Sequence, residues 1–433
     1  MIADIVLALG FVLSPSSQLR FGGLPIGPGE LCFVVWLFLI ATRLLKSESA
    51  SVTRPVRRLL RFWLVFGCSL SIGFVVGALI GDVHDAGLVL HDALAYSLLG
   101  AVSVTSVINT ETRNHLGRVA WLVGLIGTAS VTLQLLAAWN ILNVFALDPW
   151  YWDRLRGWSQ NPNQLAFFCC GLGLLWLHLI GQARQGSHRL VGAACFALSA
   201  YVGFLTKSDT FRFAILAGAA LLMLVKLWSW LNYKSPRITA QSALAWCVFL
   251  SFPLFVALSV PLLSGQASQV VFSLTKNGGE EAASEANLRF TLWQQALTRG
   301  FDSGLLGLGP GPHLAIPPEL VAARQTENEP ENLEHPKVNG TANFEAHNTY
   351  LDLLTQGGIL ALASFVWLIV AAIVSARRGR MAGLAALVIG LALFATTANI
   401  VRNPIFWLAI TLCMVGEAPK RAVSGKLAGV RGM

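Results

Sequence analysis

Charge is scarce in this sequence. Only 12% of its 433 residues are Asp, Glu, Lys or Arg, while 55% are hydrophobic. Soluble globular domains carry about a quarter charged residues, so this composition excludes that class. Cysteine is also sparse where it would form bridges. Cys32, Cys68, Cys169, Cys170, Cys195, Cys247 and Cys413 all fall inside apolar runs, where they read as small packing residues and not as a disulfide or metal framework. No internal repeat of fixed period is visible, which argues against a repeat-built transporter. The glycine-rich stretch "FDSGLLGLGPGPH" lacks the Gly-Lys-Ser/Thr ending of a phosphate-binding P-loop and reads as a tight turn. The first apolar run carries Asp4, has no basic leader and ends at Pro15 without a small-residue cleavage site, so it is expected to be a short span and not a cleaved signal.

What is present is a succession of apolar runs long enough to cross a bilayer core, which takes about 17–25 helical residues. The expected fold is all-α: a polytopic membrane protein of about 12 transmembrane helices with one large helix-containing periplasmic loop. Spans are expected near 2–14, 28–45, 62–81, 93–109, 119–141, 164–182, 190–206, 213–230, 243–263, 349–375, 382–398 and 404–416. The chain thus divides into nine spans over 1–263, the loop over 264–347, three spans over 348–416 and a tail over 417–433. Lys and Arg crowd one set of loops, including "KSESASVTRPVRRLLR", "ARRGRM" and the tail, and the positive-inside rule puts that set and both termini in the cytoplasm. The net charge of +9 is spread over these short loops and gives no nucleic-acid signal.

Basic residues on the other side are few, and each needs a reason. Arg154 and Arg156 sit in "DPWYWDRLRGWSQNPNQ", Lys207 and Arg212 in the short turn "TKSDTFRF", and Arg289 in the helix-like part of the large loop, where Leu288, Leu292, Gln295 and Ala296 recur at helical spacing. Guanidinium forks suit the oxygens of a diphosphate, and a snorkelling interfacial side chain is the bland alternative for each. His347 and Asn348 stand where the loop meets the next span. An imidazole there can serve as a general base, or simply be a satisfied polar residue. Asp352 follows one turn later and wants a partner inside a span. Trp150, Tyr151, Trp152 and Trp158 form either an interfacial belt or a platform for sugar rings. "DVHDAGLVLHD" is expected to be a short outer loop, and the spacing of His84, Asp85, His91 and Asp92 matches no zinc signature. No metal site is expected.

Four segments, "GWSQNPNQLA", "LTKSDTFRFAIL", "RFTLWQQALTRGFDSGLLGLGPG" and "HNTYLDLLTQGGILAL", occur in that order. Together they resemble the O-antigen ligase and O-antigen polymerase superfamily of bacterial envelope enzymes, over roughly residues 150 to 400. The resemblance implies a multi-pass protein of the bacterial inner membrane with a site facing the periplasm. It implies a metal-independent, cofactor-free glycosyltransferase acting in lipopolysaccharide or other polysaccharide biosynthesis. The donor would be a glycan on undecaprenyl diphosphate, and the acceptor a sugar hydroxyl of the lipid A core for a ligase or of another lipid-linked repeat for a polymerase. By this analogy His347 takes the acceptor proton, and Arg212 and Arg289 hold the diphosphate. Arg154, Arg156, Lys207 and Asn348 complete the expected substrate-binding set. Membrane lipids are the surrounding partner. In one respect the sequence departs from the family: Phe211 precedes Arg212 where a small residue is common, which keeps Lys207 open as an alternative contact. A secondary transporter is the alternative of another class.

Overall fold

A computed structural model describes residues 1–21, 26–45, 53–81, 86–108, 112–142, 147–233, 280–315 and 344–416. The ninth expected span (243–263), much of the expected loop and the tail (417–433) lie outside the described residues. Twelve helices of eight or more residues are described: α1 (Ile2–Leu13), α2 (Pro28–Leu44), α3 (Arg54–Leu79), α4 (Ala86–Thr105), α5 (Thr112–Ala138), α6 (Pro162–Gln182), α7 (Gly186–Leu205), α8 (Asp209–Tyr233), α9 (Glu280–Asp302), α10 (Thr349–Arg378), α11 (Ala382–Phe394) and α12 (Pro404–Val415). The sole paired strands among them are two-residue pieces, β1 (Trp150–Tyr151) and β2 (Arg154–Leu155), joined as an antiparallel hairpin.

Seven of these helices are long and apolar enough to cross a membrane: α3, α4, α5, α6, α7, α8 and α10. The chain is a mostly helical, multi-pass membrane protein. α1, α11 and α12 are apolar but only 12, 13 and 12 residues long. α12 is apolar on every side and buried from Pro404 to Met414, as a helix with no polar stripe must be when other helices surround it. α6 lies beside it, with buried residues around its whole circumference. α3 and α7 instead bury one stripe and turn Leu64, Phe74, Leu190 and Val191 outward. In a membrane those outward groups face lipid at no cost. Helices approach most closely at glycines. A Cβ on Gly390 would lie 2.3 Å from Leu174 Cδ1, and one on Gly383 2.7 Å from the His178 Cα.

Hydrogen bonds between loops define the two ends of the bundle. At one end Ser17 donates to Gln164 (2.9 Å), Arg154 to the Thr206 carbonyl (3.0 Å) and Thr397 to Thr210 (2.9 Å). These join the α1–α2 turn, the β-hairpin, the α7–α8 turn and the α11–α12 loop. At the opposite end Arg118 pairs with Asp4 (2.9 Å), and Arg58 donates to Ser375 (2.7 Å). The "DVHDAGLVLHD" stretch differs from expectation, because His91 and Asp92 lie within α4. Asp92 is buried and ion-paired there, which satisfies a carboxylate that a loop reading would have left in water.

α10 is broken. Gly358 has φ 65°, ψ −161°, outside the helical region. The glycine-rich stretch runs along the break. Leu308 and Gly309 donate to the Thr355 and Gln356 carbonyls (2.8 Å each), and Ile359 donates to the Leu305 carbonyl (2.9 Å). Non-helical backbone survives beside a span only where such partners exist. The glycines are needed because the backbones touch: a Cβ on Gly358 would lie 2.1 Å from the Leu305 carbonyl oxygen.

Candidate active site

His347 sits in a short extended segment, 344–348, that is tied down at nearly every residue. Phe344 pairs by its backbone with Leu314, through bonds of 3.0 and 3.1 Å. The Ala346 N–H donates to a carboxylate oxygen of Asp352 (2.7 Å), and its carbonyl accepts from the Trp293 indole (3.1 Å). Asn348 is the N-cap of α10, its amide oxygen accepting from Tyr350 and Leu351 (3.1 and 3.4 Å). Thr349 donates by its N–H to the Ala395 carbonyl and by its hydroxyl to the Ala398 carbonyl (2.8 and 2.6 Å). His347 itself has φ 50°, a left-handed conformation. For a non-glycine residue this costs on the order of 1 kcal/mol or more, and it persists when neighbours over-determine the backbone. Its half-buried ring stands edge-on to Phe344, 4.9 Å between centroids.

One arginine-bearing helix fastens to the residue before His347, and a second to the loop that receives Thr349. On α9, Arg289 is exposed, one helical turn before Trp293, whose indole holds Ala346. Leu292 and Ala296 of the same helix are buried with Leu314 and Ala346. On α8, Arg212 is exposed at the start of the helix and pairs with Asp209 at 2.9 Å. Thr210, two residues before it, accepts from Thr397, in the same loop that receives Thr349. Phe211 points the other way. It is fully buried against the bare face of Gly203, where a Cβ would meet its ring at 2.2 Å. The bulky residue before Arg212 thus anchors the helix and leaves the guanidinium on the outer side.

The remaining expected residues serve the hairpin and the turn. Arg154 donates to the Thr206 carbonyl (3.0 Å) and to Asn163 (3.1 Å), stapling β2 to the α7–α8 turn. Lys207 hydrogen-bonds Asp153, and that ammonium holds the Asp153 carboxyl below its usual range. Arg156 is buried, donates to the carbonyl (3.1 Å) and carboxylate (3.3 Å) of Asp148, and lies over the Tyr151 ring at 5.8 Å. Trp152 at the hairpin tip is 53% exposed, and the Tyr151 and Trp152 rings are nearly parallel. Among the described residues no group of three His, Cys, Asp or Glu side chains is arranged to hold a metal ion.

Sequence reasoning gave no role to Arg402, in the α11–α12 loop. Its guanidinium pairs with Asp92 of α4 and with both oxygens of Glu345, at 2.6 and 2.7 Å. A basic residue in an otherwise acid-poor short loop was the available signal. Its partners lie 310 and 57 residues away along the chain.

Residues 194–366 match the family model described as O-antigen ligase. This segment is similar to the O-antigen ligase family. The match supports a likeness to the wider superfamily of O-antigen ligases and polymerases, which are membrane enzymes of polysaccharide biosynthesis. The O-antigen ligase segment takes in Lys207, Arg212, Arg289, His347 and Asn348. Arg154, Arg156 and Arg402 lie outside it. No curated protein matches the chain.

Proposed function

We propose that the protein is a metal-independent glycosyltransferase of O-antigen ligase type. It moves a glycan from undecaprenyl diphosphate to a sugar hydroxyl of the lipid A core, on the periplasmic side of the bacterial inner membrane. His347 removes the proton as the acceptor oxygen bonds to the anomeric carbon of the donor. The bond between that carbon and the diphosphate oxygen breaks, and the leaving diphosphate gains negative charge. Arg212 and Arg289 hold it, and fixed cations act most strongly where the transition state gathers charge. The imidazolium later releases its proton to water. Arg156 holds the hairpin, Arg154 and Lys207 tie it to the turn that leads into Arg212, and Asn348 caps the end of α10 next to His347. The site lies at the membrane boundary, where a lipid-borne donor meets a water-borne acceptor.

The observation that carries this reading is the double attachment around His347: α9, with Arg289, grips Ala346, while α8, with Arg212, shares the 395–401 loop with Thr349. The family match over the same stretch supports it independently. The deciding experiment compares wild type with His347→Ala, Arg212→Ala and Arg289→Ala for surface polysaccharide in the native host, at matched membrane levels. All three are expected to lose product. Normal-length, normally attached glycan from His347→Ala overturns the base assignment. Deleting the protein distinguishes the acceptors: unattached polymer left on its lipid carrier marks a ligase, whereas single attached repeats mark a polymerase.

A further inference from the structure

Arg402 joins three parts of the chain that are distant in sequence. One arm of its fork meets Asp92 of α4, which His91 also contacts at 3.1 Å. The other arm meets Glu345, two residues before His347. Asp92 is 1% exposed and the Arg402 side chain 25% exposed, so water offers these charges little compensation. A planar guanidinium can hold two carboxylates at once in fixed directions, which a lysine ammonium cannot do with the same geometry. Other bonds of the 344–348 segment include the backbone pair with Leu314, the Ala346 bonds to Asp352 and Trp293 and the Asn348 cap. The Glu345–Arg402 ion pair ties this segment to the bundle through a charged side chain.

We propose that Arg402 is a positioning residue for the transfer reaction: by clamping Glu345 to Asp92 it fixes the backbone conformation that aims His347. The inference rests on the reading of His347 as the base. Arg402 acts through Glu345 and does not itself bind the donor, since both arms of its fork are already engaged by carboxylates. Loss of the clamp therefore lowers turnover and leaves donor affinity in place, because α8 with Arg212 is held by Thr397 and α9 with Arg289 keeps its packing of Leu292 and Ala296 against Leu314.

The test uses full-length protein in detergent micelles. Donor and acceptor are the lipid-linked glycan and core lipid extracted from host cells lacking this protein. Arg402→Lys and Glu345→Gln are each expected to lower kcat at least tenfold while the donor KM stays within about twofold. The double variant is expected to be no worse than the weaker single, as for two residues acting as one unit. His347→Ala is expected to abolish turnover. If Glu345→Gln melts like wild type and keeps its kcat within twofold while His347→Ala is dead, Arg402 has no positioning role and the base assignment stands. A multiplicative double variant overturns the proposal as well. If Arg402→Lys does not fold, Glu345→Gln, which keeps the side-chain size, decides alone. Turnover by His347→Ala removes the base reading and this inference with it.

Discussion

The Trp293 indole nitrogen lies 3.1 Å from the Ala346 carbonyl oxygen, so α9 holds the residue directly before His347. This bond, with the packing of Leu292 and Ala296 against Ala346, connects the helix that carries Arg289 to the histidine-bearing segment. Replacing Trp293 by Phe keeps an aromatic ring and removes the donor. A hydrogen bond of this kind contributes about 1 kcal/mol net. Leu292 and Ala296 still dock the helix, so Trp293→Phe is expected to insert normally and melt within a few degrees of wild type. Its glycan output is expected to fall several-fold. Output equal to wild type would mean that α9 is held in register without the indole.

Phe211 and Gly203 make a second, steric relationship. A methyl group on Gly203 would lie 2.2 Å from the Phe211 ring, so Gly203→Ala must shift that buried ring and, with it, strain the first turn of α8. Overpacking of this kind costs about 1–3 kcal/mol. Gly203→Ala is expected to reduce activity by moving Arg212, and Gly203→Ala with Phe211→Leu to regain part of it. Membrane levels and surface polysaccharide, measured together for the single and double variants, check this. A double variant no more active than the single would sever the proposed link between this packing and Arg212.

Asn348 offers a test of what an asparagine beside the base does. Its side chain caps α10, and replacing an N-cap by Ala costs about 0.5–2 kcal/mol. Serine caps nearly as well but is shorter and lacks the amide N–H₂ donors. Asn348→Ala is therefore expected to lower both melting temperature and output, and Asn348→Ser to restore both. If serine restores the melting temperature but not the output, the amide also contacts substrate.

The spans were legible because bilayer thickness imposes a length on every apolar run. α2, α6, α7 and α12 begin and end within a few residues of their expected bounds. α4 begins at Ala86, earlier than hydropathy places it, because Asp92 is neutralised by Arg402, which no local window can reveal. His347 and Asn348 were legible as polar residues at the mouth of a span. The clamp was not, since Arg402, Glu345 and Asp92 are ordinary side chains until the fold joins them. Nor does sequence separate the buried Arg156, which locks its own hairpin, from the exposed Arg212 and Arg289. In the sequence all three are arginines outside the long apolar runs, and burial tells them apart.

The break in α10 supplies a last prediction, with its own control. Gly358 has φ 65°, and a Cβ there would meet the Leu305 carbonyl oxygen at 2.1 Å, with the Leu306 and Leu305 carbonyl carbons at 2.6 and 2.8 Å. These three nearest atoms are all backbone, so no side-chain rotation relieves the contact. This positive-φ extended conformation is essentially confined to glycine and adds about 1–3 kcal/mol for an alanine. Displacing Leu305 would also pull Leu308 and Gly309 from the Thr355 and Gln356 carbonyls, leaving polar groups unpaired beside a span. Gly358→Ala is therefore expected to leave little monodisperse protein after detergent extraction. Gly117, on α5, is the contrasting case: nothing lies within 4 Å of a Cβ placed there. Alanine in a helix is favoured over glycine by about 0.5–1 kcal/mol, so Gly117→Ala is expected to extract and melt at least as well as wild type. Equal yields of the two variants would show that α10 tolerates a continuous helix through Gly358, and that the glycine-rich stretch does not depend on the break.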